Sequence, residues 1–110
     1  MALPKNHAFL GPEVRLAAYA KALSHPARIA ILKALAERGE CVCGELVGEL
    51  PLAQATVSQH LRALKEAGLV TLTTDGPRSC YALDPDGFAE LRRHARYLFF
   101  QLQQGVDEQA

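Results

Sequence analysis

The stretch Gln54-Ala55-Thr56-Val57-Ser58-Gln59-His60-Leu61-Arg62-Ala63-Leu64-Lys65-Glu66-Ala67-Gly68 decides the fold. Val57, Leu61 and Leu64 recur at i, i+4 and i+7, the spacing that places side chains on one side of an α-helix. A helix is therefore predicted from Gln54 to Ala67, with Gly68 as the residue that takes the left-handed backbone just past its end. At ~100° per residue, Ala55, Gln59, Arg62 and Glu66 point away from Val57 and Leu64, while Thr56 and Ser58 lie on the flanks. The apolar stripe is narrow, and the face opposite carries short polar groups near its N-terminal end.

Immediately upstream, Leu46, Val47 and Leu50 form the apolar face of a shorter helix that Pro51 stops. Two helices separated only by Pro51-Leu52-Ala53, the second closed by glycine, make the helix-turn-helix pattern. The second helix of such a pair enters the major groove of DNA. Gln54, Thr56, Ser58, Gln59, His60 and Arg62 are the candidates for DNA contact on it. Glutamine pairs bidentately with adenine, arginine with guanine, and serine or threonine with base edges or phosphates. The plain alternative is a solvated helix face. His60 sits nearer the apolar stripe than Gln59 does, which also suits a half-buried packing residue.

Downstream of Gly68 the period changes to two. Val70-Thr71-Leu72-Thr73-Thr74 and Ser79-Cys80-Tyr81-Ala82-Leu83 alternate around the turn residues Asp75-Gly76-Pro77, which predicts a β-hairpin with Arg78 at its tip. Arg78 is a candidate phosphate or minor-groove contact, or else a solvated charge. On this pattern Cys80 and Tyr81 face opposite sides, and nothing in the sequence brings Cys80 near Cys43. Asp84-Pro85-Asp86 then opens a last helix whose apolar residues Phe88, Leu91, Ala95, Leu98 and Leu102 step by 3, 4, 3 and 4. That heptad-like seam needs a partner, either the first helix or its own copy in a second subunit.

At the other end, residues 1–12 form a short polar arm, and Glu13 to Leu23 reads as a helix with an acidic residue in its first turn. Ser24 is placed to cap a second helix from Pro26 to Glu37, which Gly39 ends. Glu40-Cys41-Val42-Cys43 is a short break that can be extended. The expected fold class is mainly α with a β-hairpin wing: a winged helix-turn-helix of about five helices. One domain covers 13–104, with terminal helices for dimerisation, and 105–110 form a frayed polar tail.

Bulk composition agrees with one small domain. The chain has 110 residues, 49% of them hydrophobic, enough for a modest core. Three cysteines do not make a disulfide-stapled secreted scaffold. No stretch resembles a signal peptide or approaches the roughly 20 apolar residues that span a bilayer. A cytoplasmic protein with reduced thiols and no membrane partner is expected. The 12 basic and 12 acidic residues cancel. Balanced charge argues against a purely electrostatic DNA coater, but a specific binder needs basic residues on one face only.

The order of elements resembles the ArsR/SmtB family of bacterial metal- and stress-sensing repressors. The resemblance rests on Ala22-Leu23-Ser24-His25-Pro26-Ala27-Arg28-Ile29-Ala30-Ile31-Leu32, on Glu40-Cys41-Val42-Cys43-Gly44-Glu45-Leu46 and, most strongly, on Gln54 to Val70. Asp75-Gly76-Pro77-Arg78 and Tyr81-Ala82-Leu83 resemble the family's wing. The resemblance implies a homodimer joined through its first and last helices, recognition of double-stranded operator DNA by the fourth, and release of DNA when an effector binds. Two departures stand out. Ala53 replaces the usual serine cap of the recognition helix, which removes about 1 kcal/mol of capping. Leu46 stands where the family's metalloid motif often has a third cysteine.

Cys41 and Cys43 are the chemically distinctive pair. Cys-x-Cys is too tight for thioredoxin-type chemistry, and no second pair exists for a four-ligand zinc knuckle. Soft thiolates suit arsenite or another thiophilic metal ion. The pair falls where the resemblance places metalloid ligands; otherwise it is two small buried apolar residues. The family's other metal site, on the last helix, has little support, since Phe88 follows Asp86 by two residues and His94 stands alone. His7 and His25 read as incidental to function, a histidine before proline at a helix start usually serving packing or capping, although neither His7 nor Cys80 is excluded from the effector site. No cofactor is required, and no base adjoins the thiols in sequence as a thiol enzyme would need. The leading expectation is a repressor with a two-thiol effector site. Behind it stand a redox or persulfide sensor on the same fold and, more distantly, a winged-helix protein-interaction module.

Overall fold

Ile31, Leu35, Leu46, Val57, Leu61 and Leu64 are wholly buried on three helical segments, and Tyr19, Ala22 and Val70 join a fourth helix and the sheet to the same core. The computed structural model describes residues 8–110, and of Cys41 and Val42 the backbone alone. His7 and most of the expected arm lie outside the described residues. The elements are α1 (Gly11–Ala22), α2 (Pro26–Arg38), β1 (Glu40–Val42), α3 (Cys43–Glu49), α4 (Gln54–Glu66), β2 (Val70–Asp75), β3 (Arg78–Leu83) and α5 (Pro85–Gln109). This is the expected winged helix-turn-helix with five helices.

Three boundaries differ from expectation. Helix α1 begins at Gly11 and so takes in the last two residues assigned to the arm, since Pro12 fits a first turn where no amide donor is needed. Ser24 does not cap α2. His25 holds the N-cap position without a side-chain bond, while Ser24 Oγ donates to the Lys21 carbonyl at 2.7 Å and closes α1. Helix α5 runs to Gln109 instead of fraying from residue 105. Gln103 Nε2 donates to Asp107 Oδ1 at 2.9 Å one turn on, a side-chain bond that supports this extension.

The wing also gains a strand. The sheet order is β1-β3-β2, antiparallel throughout, with Cys41 opposite Tyr81 and Val42 opposite Cys80. As the central strand, β3 is half-buried from Ser79 to Leu83 without clean alternation. The hairpin turns through Gly76-Pro77 with Gly76 at φ +60°, the positive value that a two-residue hairpin loop demands at its first position.

Backbone contacts lock the recognition helix to α5. Gly68, at φ +87°, follows the last turn of α4; the Leu69 amide donates to the Leu64 carbonyl and the Gly68 amide to the Lys65 carbonyl, both at 3.0 Å. This is the Schellman closure. The Asp84 amide donates to the Leu69 carbonyl at 2.9 Å, and the Asp84 carboxylate caps α5 by accepting from the Asp86 and Gly87 amides. Gly87 lies so near that a Cβ built on it would stand 1.7 Å from the Gly68 oxygen.

Helix α5 extends well beyond this core. Its 25 residues span ~37 Å, and the radius of gyration is 16.7 Å against about 13 Å for a globular chain of this length. Leu91 packs on the core, whereas Phe88, Tyr97, Phe99, Phe100, Leu102 and Val106 are exposed. The sequence seam is thus shared: part of it meets its own chain, and the rest faces outward.

Candidate nucleic-acid interface

Helix α4 presents the face that its period implies. Val57, Leu61 and Leu64 are buried, while Gln54, Ala55, Gln59, Arg62 and Glu66 are exposed. Ala53 makes no side-chain cap, so the first-turn amides keep their donors free of a protein side chain. A DNA phosphate is a suitable acceptor there. Arg78 is exposed at the start of β3, opposite Asp75 and beside the turn. Gln54, Gln59, Arg62 and Arg78 are therefore open to a ligand.

Thr56, Ser58 and His60 are half-buried. Ser58 and His60 lie ~100° and ~60° from Val57 on either side of the buried stripe, close enough for neighbouring helices to reach them. Ser58 Oγ lies 3.4 Å from Cys43 Sγ, at the first residue of α3. His60 Nδ1 accepts a hydrogen bond from Arg28 Nε at 3.1 Å, and its ring lies 5.4 Å, centroid to centroid, from that of His25. Burial, followed by the charges of Arg28 and His25, holds the His60 pKa below the ordinary histidine value. Ser58 and His60 thus each have an internal partner through one polar atom, and both remain partly exposed. The sequence gives little sign of Arg28, because the residue it serves is 32 positions away. His25 serves packing, as a histidine before proline at a helix start usually does, and its partner is the recognition helix.

Cys41 and Cys43 sit, by backbone position, where the wing meets the helix-turn-helix. Cys41 lies in β1, and Cys43 opens α3, half-buried against the core. Leu46, in place of a third cysteine, is wholly buried in that core. Cys80 does come close in the fold: it stands opposite Val42, between the backbone positions of the other two cysteines. The expectation that nothing brings it near fails because three isolated residues, Glu40 to Val42, give no periodic signal for a strand. Arg38 pairs with both Glu45 and Glu49 and so fastens α2 to α3. On α5, Glu90 is engaged by Arg15 and lies 3.7 Å from His94. The Arg15 hydrogen bond holds its carboxyl below the usual range. Among the described residues no three His, Cys, Asp or Glu side chains gather as a metal site.

Residues 25–71 match the family described as bacterial regulatory protein, arsR family. The HTH-type transcriptional regulator Rv2034 of Mycobacterium tuberculosis is 46% identical over 72 residues, which are 66% of this chain and 66% of that protein. Among solved structures, a "possible transcriptional regulator for arsenical resistance" is 36% identical, with TM-score 0.65, over 80% of this chain and 92% of its own. The homodimeric winged helix-turn-helix DNA-binding domain of a Mycobacterium bovis protein is 31% identical, with TM-score 0.61, over 98% of this chain and 92% of its own.

Proposed function

This chain belongs to the ArsR family of DNA-binding transcriptional regulators, a non-enzymatic class, and from that premise we propose that it is a homodimeric repressor released from operator DNA when arsenite or another thiophilic ion binds Cys41 and Cys43. The observation that carries this reading is the 3.4 Å contact between Cys43 Sγ and Ser58 Oγ. A thiolate drawn into coordination leaves that contact, and the start of α3 moves against the recognition helix. A shift there misaligns Gln59 and Arg62 with base edges. Two soft thiolates two residues apart suit a thiophilic ligand better than a hard cation.

Dimerisation is supported by the outward aromatic and aliphatic side chains of α5 and by the groove of about 520 Å³ between α1 and α5, where Leu10, Leu16, Tyr97 and Leu98 meet. A pair of recognition helices related by a two-fold axis reads a palindromic operator whose half-sites are one or two turns of DNA (~10 bp each) apart. A reducing cytoplasm keeps the thiols available. Among the described residues no helix is long and apolar enough to cross a membrane.

A gel-shift with DNA from upstream of the protein's own gene tests the reading. A retarded band that arsenite, zinc or cadmium abolishes, and peroxide does not, supports it. Release by peroxide alone moves the site to redox sensing. No shift on any upstream DNA leaves only an interaction module.

A further inference from the structure

We infer that Arg28 is a positioning residue for DNA recognition: it fixes His60 as the Nε2–H tautomer, so that the recognition helix offers a neutral donor to the duplex. The inference rests on the reading of α4 as the DNA-binding helix and names a device within it. Arg28 Nε lies 3.1 Å from His60 Nδ1. A guanidinium only donates, so Nδ1 must hold a lone pair, and the neutral ring then carries its proton on Nε2.

The strut that sets this tautomer is itself held. Arg28 Nη1 donates to the Ala22 carbonyl at 3.3 Å, in the last turn of α1. The guanidinium therefore bridges α1, α2 and α4 and does not swing freely. Among the described residues Nε2 of His60 has no hydrogen-bond partner, and no side-chain nitrogen or oxygen there is both buried and unpartnered. It follows that Nε2 is open to solvent, on the side of the ring away from Arg28. His60 lies next to Gln59 and two residues before Arg62, on the helix expected to meet DNA. A single donor at that place suits the base-edge acceptors of a duplex: guanine N7 and O6, or adenine N7.

The charged and titratable groups facing His60 are Arg28 of α2 and His25 at its N-cap. Both disfavour a proton on the ring, as does burial. Protonation at Nδ1 would set donor against donor and place a second positive charge against the Arg28 guanidinium. The neutral ring is thus the form that belongs with this geometry, and acid undoes it as the pH falls below the ordinary histidine value of 6.5.

The test uses ¹⁵N-labelled full-length protein and a duplex that the parent protein selects from a random library. Long-range ¹H–¹⁵N spectra of the free protein at neutral pH should show His60 as the Nε2–H form. In Arg28→Met they should show a mixture of tautomers and a titration midpoint moved up towards 6.5. The ratio of selected-duplex to random-duplex affinity should fall about ten-fold in Arg28→Met, the discrimination expected of one lost base contact. A parent ring in the Nδ1–H form overturns the inference, as does an unchanged affinity ratio once the tautomers are mixed. If Arg28→Met does not fold, the parent decides alone: selectivity must decline as His60 titrates, and selectivity that stays constant through that titration refutes the role. A parent that selects no duplex removes the DNA reading itself, an outcome distinguished from the others by the spectra of the free protein.

Discussion

Cys43 and Ser58 meet across the α3–α4 contact, Sγ to Oγ at 3.4 Å, although 15 residues separate them in sequence. Ser58 sits on the flank of the recognition helix and Cys43 at the first residue of α3, so the thiol and the DNA-reading helix share a contact. This relationship separates two roles for Ser58. If the hydroxyl serves coupling, Ser58→Ala keeps operator affinity within about 0.5 kcal/mol, the usual range for a weak neutral contact, and shrinks the effector's influence on binding. Fluorescence anisotropy with and without arsenite measures both quantities. A loss confined to operator affinity would make Ser58 a DNA contact instead.

Gln59 and Arg62 are the exposed long side chains of α4 best placed to read bases. Replacing either with alanine should cost roughly 1–3 kcal/mol on operator DNA and much less on random DNA. Equal losses on both duplexes would assign them to phosphates. Competition anisotropy at fixed salt distinguishes the outcomes, because phosphate contacts also lower the salt dependence of binding.

Gly87 has no room for a side chain. A methyl group there would strike the Gly68 carbonyl, which belongs to the closure of α4 and lies beside the Asp84–Leu69 backbone bond. Gly87→Ala should destabilise the fold by roughly 1–3 kcal/mol, the range for overpacking, or more if the backbone cannot yield. Urea denaturation at constant m-value reads the loss. An unchanged midpoint would show that α5 is free to retreat from α4 at no cost.

The dimer should depend on the outward part of α5. Phe99 is 64% exposed in the single chain, so Phe99→Glu leaves the domain's own core intact. Light scattering should report a dimer for the parent and a monomer or a weakened dimer for the variant, with operator affinity falling alongside. A variant that dimerises normally would place the interface elsewhere.

Much of this was legible in the sequence because it rests on period. Val57, Leu61 and Leu64 announce α4, Gly68 ends it as expected, and the alternation on either side of Asp75-Gly76-Pro77 gives the wing. What escaped is carried by contacts that period does not encode. Three residues of β1 are too few to alternate visibly, so the pairing of Val42 with Cys80 emerges only in the sheet. Thr56 and Ser58 look alike on a helical wheel as flanking polar residues, and His60 shows there only that it lies nearer the apolar stripe. Which of them turns inward depends on Cys43 and Arg28, from α3 and α2. The tail after Gly105 looks frayed by composition, yet α5 continues to Gln109, with Gln103 and Asp107 bonded one turn apart.

Release of operator DNA by arsenite in the three single cysteine variants tests the central claim most directly. Parent protein bound to a labelled operator should lose it on titration with arsenite, and Cys80→Ser should behave like the parent. Cys41→Ser and Cys43→Ser should stay bound at arsenite concentrations that empty the parent, with operator affinity before addition little changed. Loss of the response in Cys80→Ser as well would make the site one of three thiols, drawn together across β1 and β3. A response in all three variants equal to that of the parent would contradict the account, because the effector would then act without the thiol that touches Ser58.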